Sequence, residues 1–201
     1  AYSSNEQLNK EVEPAIRRIE VARENLDKYL KNPGSRLIYI GGKLVTSKGY
    51  VIAIPDKPTI QEKFVSSDLQ SQFELITGKL IPVVSESKIG SKSALLVGKT
   101  KAALKAKVDF KKLGIEGITI KTAGSNLILA GNKRGVLYAC YRFLEDYLGC
   151  RWFTPDCSVI PNKGTIKLAS INKVFIPKLE HRSTDYPHSC NQDWAVRNEI
   201  N

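Results

Sequence analysis

The chain has 201 residues, 42% hydrophobic and 8% aromatic, which suffices for one sizeable core with appendages. It contains no run of 18 or more apolar residues, so no membrane-spanning helix is expected. The balance is basic, with 31 Lys and Arg against 20 Asp and Glu, which admits a polyanionic partner. The densest stretch, Lys99 to Lys112, nevertheless has Asp109 inside it and no alternating aromatics to stack bases, so no nucleic-acid partner is expected.

The chain has no methionine, so Ala1 is not expected to be an untouched translation start. We expect a processed or trimmed product; a removed signal peptide is one explanation of the trimming, and on it we expect a secreted or periplasmic location. Residues 5–32 place Leu8, Val12, Ala15, Ile19, Ala22, Leu26 and Leu30 on one helical face, with a fresh helix start near Glu13-Pro14 and a stop at Asn32-Pro33-Gly34. This N-terminal helical extension, residues 1–35, is either docked on the domain or free to meet a partner helix.

From Arg36 the period changes to two. Leu37–Ile40, Lys43–Val45 and Tyr50–Ile54 read as strands that begin an antiparallel sheet. Thr59 and Glu62 have capping-box spacing, and Phe64, Val65, Leu69, Phe73 and Ile76 continue an amphipathic helix closed by Gly78. Leu80–Val84 and Ala94–Val97 read as short strands, residues 100–112 as a basic helix or loop, and Gly117–Lys121 with Asn126–Ala130 as a hairpin. A second helix carries Val136, Leu137, Cys140, Tyr141, Leu144, Tyr147 and Leu148 on one stripe and ends at Gly149. Short strands near Arg151–Phe153, Val159–Ile160 and Thr165–Leu168 follow. The fold class is therefore α+β, a mixed β-sheet with two long helices packed on one face, over residues 36–170. Beyond Ile171 the chain turns polar and reads as a connector, residues 171–201.

The chemistry templates are missing. There is no G-x-S-x-G, P-loop, H-E-x-x-H or post-strand G-x-G-x-x-G, and no paired carboxylates with a glycosidase-like placement in the folded part. Gly131–Gly135 joins a strand to a helix and reads as a tight turn rather than a phosphate cradle. Cys140, Cys150, Cys157 and Cys190 show no metal-ligand spacing, so no metal and no cofactor is expected. Cys140 falls on a buried stripe, whereas Cys150 and Cys157 flank a hairpin and could pair in an oxidising compartment. Polar residues concentrate at His181–His188 and Asp193–Asn198, residue types that grip sugar hydroxyls and stack on sugar rings.

The stretch Leu127–Pro155, with Gly131-Asn132-Lys133-Arg134-Gly135-Val136-Leu137-Tyr138-Ala139 and then Leu144-Glu145-Asp146-Tyr147-Leu148-Gly149-Cys150-Arg151-Trp152, resembles the signature of N-terminal domains in bacterial glycoside hydrolases. The likeness is to family 67 alpha-glucuronidases and, more distantly, to the second domain of family 20 beta-hexosaminidases. Ile76-Thr77-Gly78 with Leu80-Ile81-Pro82-Val83 is similar to a second segment of the same domains, and together they cover residues 36–177. The resemblance implies a zincin-like sandwich without metal that packs against a downstream (β/α)8 barrel carrying the catalytic carboxylates, so no catalytic residue is expected in this chain. It implies that Phe175–Arg182 begins the barrel, that Arg182 matches an arginine holding a sugar hydroxyl, and that Asp185 lies nearby as a second substrate-binding residue. The expected function is a non-catalytic accessory domain of a secreted, polysaccharide-degrading enzyme. The alternatives are a stand-alone carbohydrate-binding module using Trp152 and Trp194, and an interaction domain acting through the N-terminal helix.

Overall fold

A computed structural model describes residues 33–179 and 181–201. The expected helix over residues 5–32 lies outside the described residues. A six-stranded sheet has the order β11-β6-β7-β5-β3-β4, built from β3 (Tyr50–Ile54), β4 (Val83–Ser85), β5 (Ser93–Val97), β6 (Ile118–Ala123), β7 (Asn126–Gly131) and β11 (Asn172–Phe175). A second sheet, β10-β1-β2, joins β1 (Leu37–Ile40), β2 (Lys43–Leu44) and β10 (Thr165–Leu168), and β8 (Arg151–Thr154) pairs with β9 (Cys157–Val159).

The first three strands depart from the expected antiparallel start. β1 and β2 are antiparallel, but β3 leaves for the larger sheet, where it runs parallel to both β4 and β5, and β5 runs parallel to β7. The residues explain this placement. Val51 and Ala53 pack on one face and Tyr50 and Ile52 on the other, and the same two-sided burial recurs in β5 and β7. A strand apolar on both faces belongs in the covered middle of a sheet, and parallel neighbours require the crossover that the intervening helix supplies.

That helix, α1 (Ile60–Thr77), starts on the expected capping box: Glu62 N–H donates to Thr59 Oγ1 at 3.2 Å and Thr59 N–H to Glu62 Oε2 at 2.8 Å. It ends at Gly78, whose φ of 66° lies in the left-handed region open to glycine. α4 (Arg134–Asp146) is the second long helix. Val65, Leu69, Phe73 and Ile76 of α1 and Val136, Ala139, Cys140, Phe143 and Leu144 of α4 enter one core with Ile52, Leu95, Leu127 and Leu129 of the sheet. Phe73 and Phe143 stack across the two helices at 6.4 Å. Both helices thus cover one face of a mixed sheet, and the fold class is α+β. Each fully buried large side chain contributes about 1.5–3 kcal/mol, so this face carries most of the stability.

The short helices α2 (Lys101–Lys105) and α3 (Phe110–Leu113) cover the opposite face, where Ala103, Phe110 and Leu113 meet Val51, Ala53, Ala94, Leu96, Ile128 and Ala130. β11 extends the sheet past residue 171, antiparallel to β6, although that stretch reads as a connector. An edge strand with one wet side, bearing the exposed Asn172 and the 58% exposed Val174, lacks the apolar run that marks the central strands. Among the described residues no helix is long and apolar enough to cross a membrane.

Cys140 is buried, and burial raises its thiol pKa far above its ordinary value. Cys150 is buried too, its thiol pushed up to about 12 by desolvation, whereas Cys157 and Cys190 are exposed, and all four are free. Reaction of the native protein with a thiol reagent at neutral pH should therefore label Cys157 and Cys190 quickly and leave Cys140 and Cys150 until the chain unfolds. Rapid native labelling at Cys140 or Cys150, read by peptide mass, would contradict this burial.

Candidate functional site

The polar density at the end of the chain folds back onto α4. A 3₁₀ turn, Pro187–Cys190, leads into α5 (Gln192–Arg197), whose first turn is capped by Asn191 Oδ1 accepting Trp194 N–H at 2.9 Å. Arg134, Tyr138, Tyr141 and Arg142, four, three and one residues apart on α4, meet this segment. Arg142 forms a two-pronged pair with Glu199, and its guanidinium lies 5.2 Å from the Phe175 ring. Arg197 reaches Asp68 of α1 at 3.2 Å, and the same carboxylate accepts the Tyr141 hydroxyl at 2.8 Å. Arg197 also lies 5.8 Å from the rings of Tyr141 and Trp152.

The third contact is a cluster around Glu116, which is 8% exposed. Its Oε1 takes Arg134 at 2.7 Å and the Asn201 amide at 2.6 Å, and its Oε2 takes Arg182 at 2.8 Å. Arg182 also donates to the carbonyls of Glu199 and Leu179 and lies 5.7 Å from the Tyr138 ring. Burial alone would raise the Glu116 carboxyl; the hydrogen bonds from Asn201 and Arg182 and the two guanidinium charges outweigh it and hold it below the usual range. The Tyr138 hydroxyl is raised, chiefly by burial and then by the Glu116 charge, so it stays protonated at neutral pH. A general acid needs a raised carboxyl near the operating pH and a nucleophile needs a free oxygen. Glu116 has neither, and the cluster acts as a clamp.

Of the two expected substrate-binding residues, Arg182 is drawn into this clamp. Asp185 is exposed and makes no hydrogen bond or ion pair among the described residues. Of the stretch expected to open a barrel, only Phe175 lies in a strand; 176–179 and 181–182 have no regular structure. Two grooves flank Arg134. One of about 440 Å³ is lined by Ile115, Glu116, Ile176, Pro177 and Leu179, and one of about 520 Å³ by Tyr138, Ser183, Thr184, Gln192 and Asn201. Trp152 is buried, and the Trp194 indole N–H is spent on the Trp152 carbonyl at 3.0 Å.

The turn Gly131–Gly135 is closed to anions. Gly135 N–H donates to the carbonyls of Asn132 and Ile115, and the Asn132 amide donates to those of Phe110 and Gly114. Among the described residues no group of three or more His, Cys, Asp or Glu is placed to hold a metal. Sequence reading missed Glu116 and Glu199; Glu116 stands before a strand between Ile115 and Gly117, with no local partner to mark it.

This fold and this helix are similar to those of known glycoside hydrolase N-terminal domains. Residues 46–143, from the turn before β3 through most of α4, match the family model described as "Glycosyl hydrolase family 67 N-terminus". A family GH115 4-O-methyl-alpha-glucuronidase with specificity for decorated arabinogalactans shares the fold at a TM-score of 0.53 and 13% identity over 78% of this chain. A GH20 beta-N-acetylhexosaminidase from Streptomyces coelicolor A3(2) aligns over 57% of this chain at 14% identity and a TM-score of 0.37. The chain spans 25% of the glucuronidase chain and 19% of the hexosaminidase chain. No curated protein matches in sequence.

Proposed function

We propose that the chain is a non-catalytic accessory part of a secreted carbohydrate-active enzyme, with turnover residing in a downstream barrel of the same polypeptide. Residues 36–170 form its zincin-like α+β domain, residues 1–35 an N-terminal extension, and 171–201 the passage toward the barrel. The observation that carries this reading is the use made of α4: Arg134 and Tyr138 of the resembling stretch, and Arg142 one turn further on, are spent on Glu116, Arg182 and Glu199 within the chain. A helix that spends its signature residues on its own chain is a scaffold. In the longer enzyme Arg182 and Asp185 would stand at the sugar-facing rim, with Asp185 the more accessible of the two.

The test is turnover. Residues 1–201 incubated with aryl glycosides, including an aryl alpha-glucuronide, should release no phenol above buffer, whereas the polypeptide continued through the barrel should. Hydrolysis by residues 1–201 that is abolished by Glu116→Gln would overturn the reading and make the clamp an active site.

A further inference from the structure

α2 and α3 carry Lys101, Lys105, Lys111 and Lys112, with Lys99 and Lys107 on the adjoining turns, all exposed. Their buried side, Ala103, Phe110 and Leu113, rests on the sheet face opposite α1 and α4. The C-terminal segment packs with the other core, so it does not cover these lysines. Lys101 is engaged by Asp56 at 3.2 Å, and Lys99 lies 5.5 Å from the Phe110 ring. Lys105, Lys107, Lys111 and Lys112 have no carboxylate partner among the described residues. The acid within the stretch, Asp109, caps α3 by accepting Lys112 N–H at 3.0 Å. Asp68, Glu116 and Glu199 are committed to ion pairs elsewhere, so they do not offset these lysines.

Beside these lysines runs a groove of about 330 Å³ lined by Lys107, Lys112, Lys121, Asp109, Thr119 and Asn172. The Lys121 ammonium is anchored at its edge on the Ala106 carbonyl, 3.1 Å away. Lys107 holds a φ of 60°, a left-handed conformation that costs a lysine about 1 kcal/mol and that glycine or asparagine would adopt more readily. Ammonium groups are point charges that suit carboxylates spaced along a flexible polymer. No aromatic lines the groove, so a ligand there would be held by charge rather than by ring stacking.

We propose that this face is an anchoring surface for an acidic polysaccharide, whose carboxylates meet Lys107 and Lys112 in the groove and Lys105 and Lys111 on the helices beside it. The choice of polymer rests on the accessory-domain reading; the location rests on the charges and the groove. The probes are polygalacturonate, neutral arabinoxylan and a short DNA duplex, followed by affinity electrophoresis and calorimetry on residues 1–201. Polygalacturonate should bind, and its affinity should fall about tenfold or more between about 50 and 300 mM salt as the lysines are screened. Combined Lys105→Glu, Lys107→Glu, Lys111→Glu and Lys112→Glu should weaken it about tenfold, while the same charge change at Lys48, Lys79, Lys88 and Lys163 should cost less than about twofold. Equal losses in the two variants, no binding at low salt, or tighter binding of DNA than of polygalacturonate would each overturn the proposal. Glycoside turnover by residues 1–201 would sink the accessory reading instead and leave the measured surface standing.

Discussion

Replacing Gly135 by alanine should lower the stability of the domain by about 3 kcal/mol, against the usual helix preference, which favours alanine over glycine by about 1 kcal/mol. A Cβ at Gly135 would lie 2.4 Å from the Gly117 carbonyl oxygen and 3.2 Å from the Glu116 carbonyl carbon. Both are backbone atoms, and neither can yield cheaply. Gly117 N–H is bonded to Leu113 O at 2.9 Å, and the Glu116 side chain is gripped by Arg134, Arg182 and Asn201. Gly131 makes a second close approach, since its Cβ would sit 2.3 Å from the Gly135 carbonyl carbon. The two glycines of the turn thus let the start of α4 press onto the end of β7 on one side and the segment before β6 on the other. Urea titration of Gly135→Ala should show a lower midpoint with an unchanged slope. A variant as stable as the parent would mean that this close approach does not exist.

α1 and its boundaries were legible because every signal for them is local: Thr59 and Glu62 three apart, an apolar face at helical spacing, and Gly78 at the stop. The stripe of α4, the β6–β7 hairpin and the burial of Cys140 were legible for the same reason. The parallel pairing of β3, β5 and β7 was not, because strands buried on both faces give continuous apolar runs that carry no sign of direction or partner. β11 was hidden by the opposite cause, an edge position that leaves Asn172 and Val174 wet. The clamp was the least legible part. Arg142 and Glu199 are 57 residues apart, and Arg197 and Asp68 are 129 apart, so no spacing rule could join them. The family signature picked out Arg134 and Tyr138 without saying what they touch. Arg182, expected at a sugar hydroxyl, is bound to a carboxylate that no motif marked.

That carboxylate should be the most sensitive polar position in the chain. Glu116→Gln should cost about 2–3 kcal/mol near neutral pH, because it leaves Arg134 and the largely buried Arg182 guanidinium facing each other without a countercharge. The loss should be local in its first effects, accelerating amide exchange across residues 182–201 before the central strands respond. The pH dependence has a definite sign. The folded pKa of Glu116 is depressed, so its stabilisation is fully present above the unfolded value of about 4.3 and fades as pH falls through the lower folded value. The gap between parent and Glu116→Gln should therefore stay constant from neutral pH to about pH 5 and close below about pH 4, as the parent's carboxylate takes up its proton. Thermal melts of both proteins across that range test it. A gap that widens on acidification would mean that Glu116 is protonated in the native state, and a gap near zero at neutral pH would mean that Arg182 and Asn201 hold the C-terminal segment by other contacts.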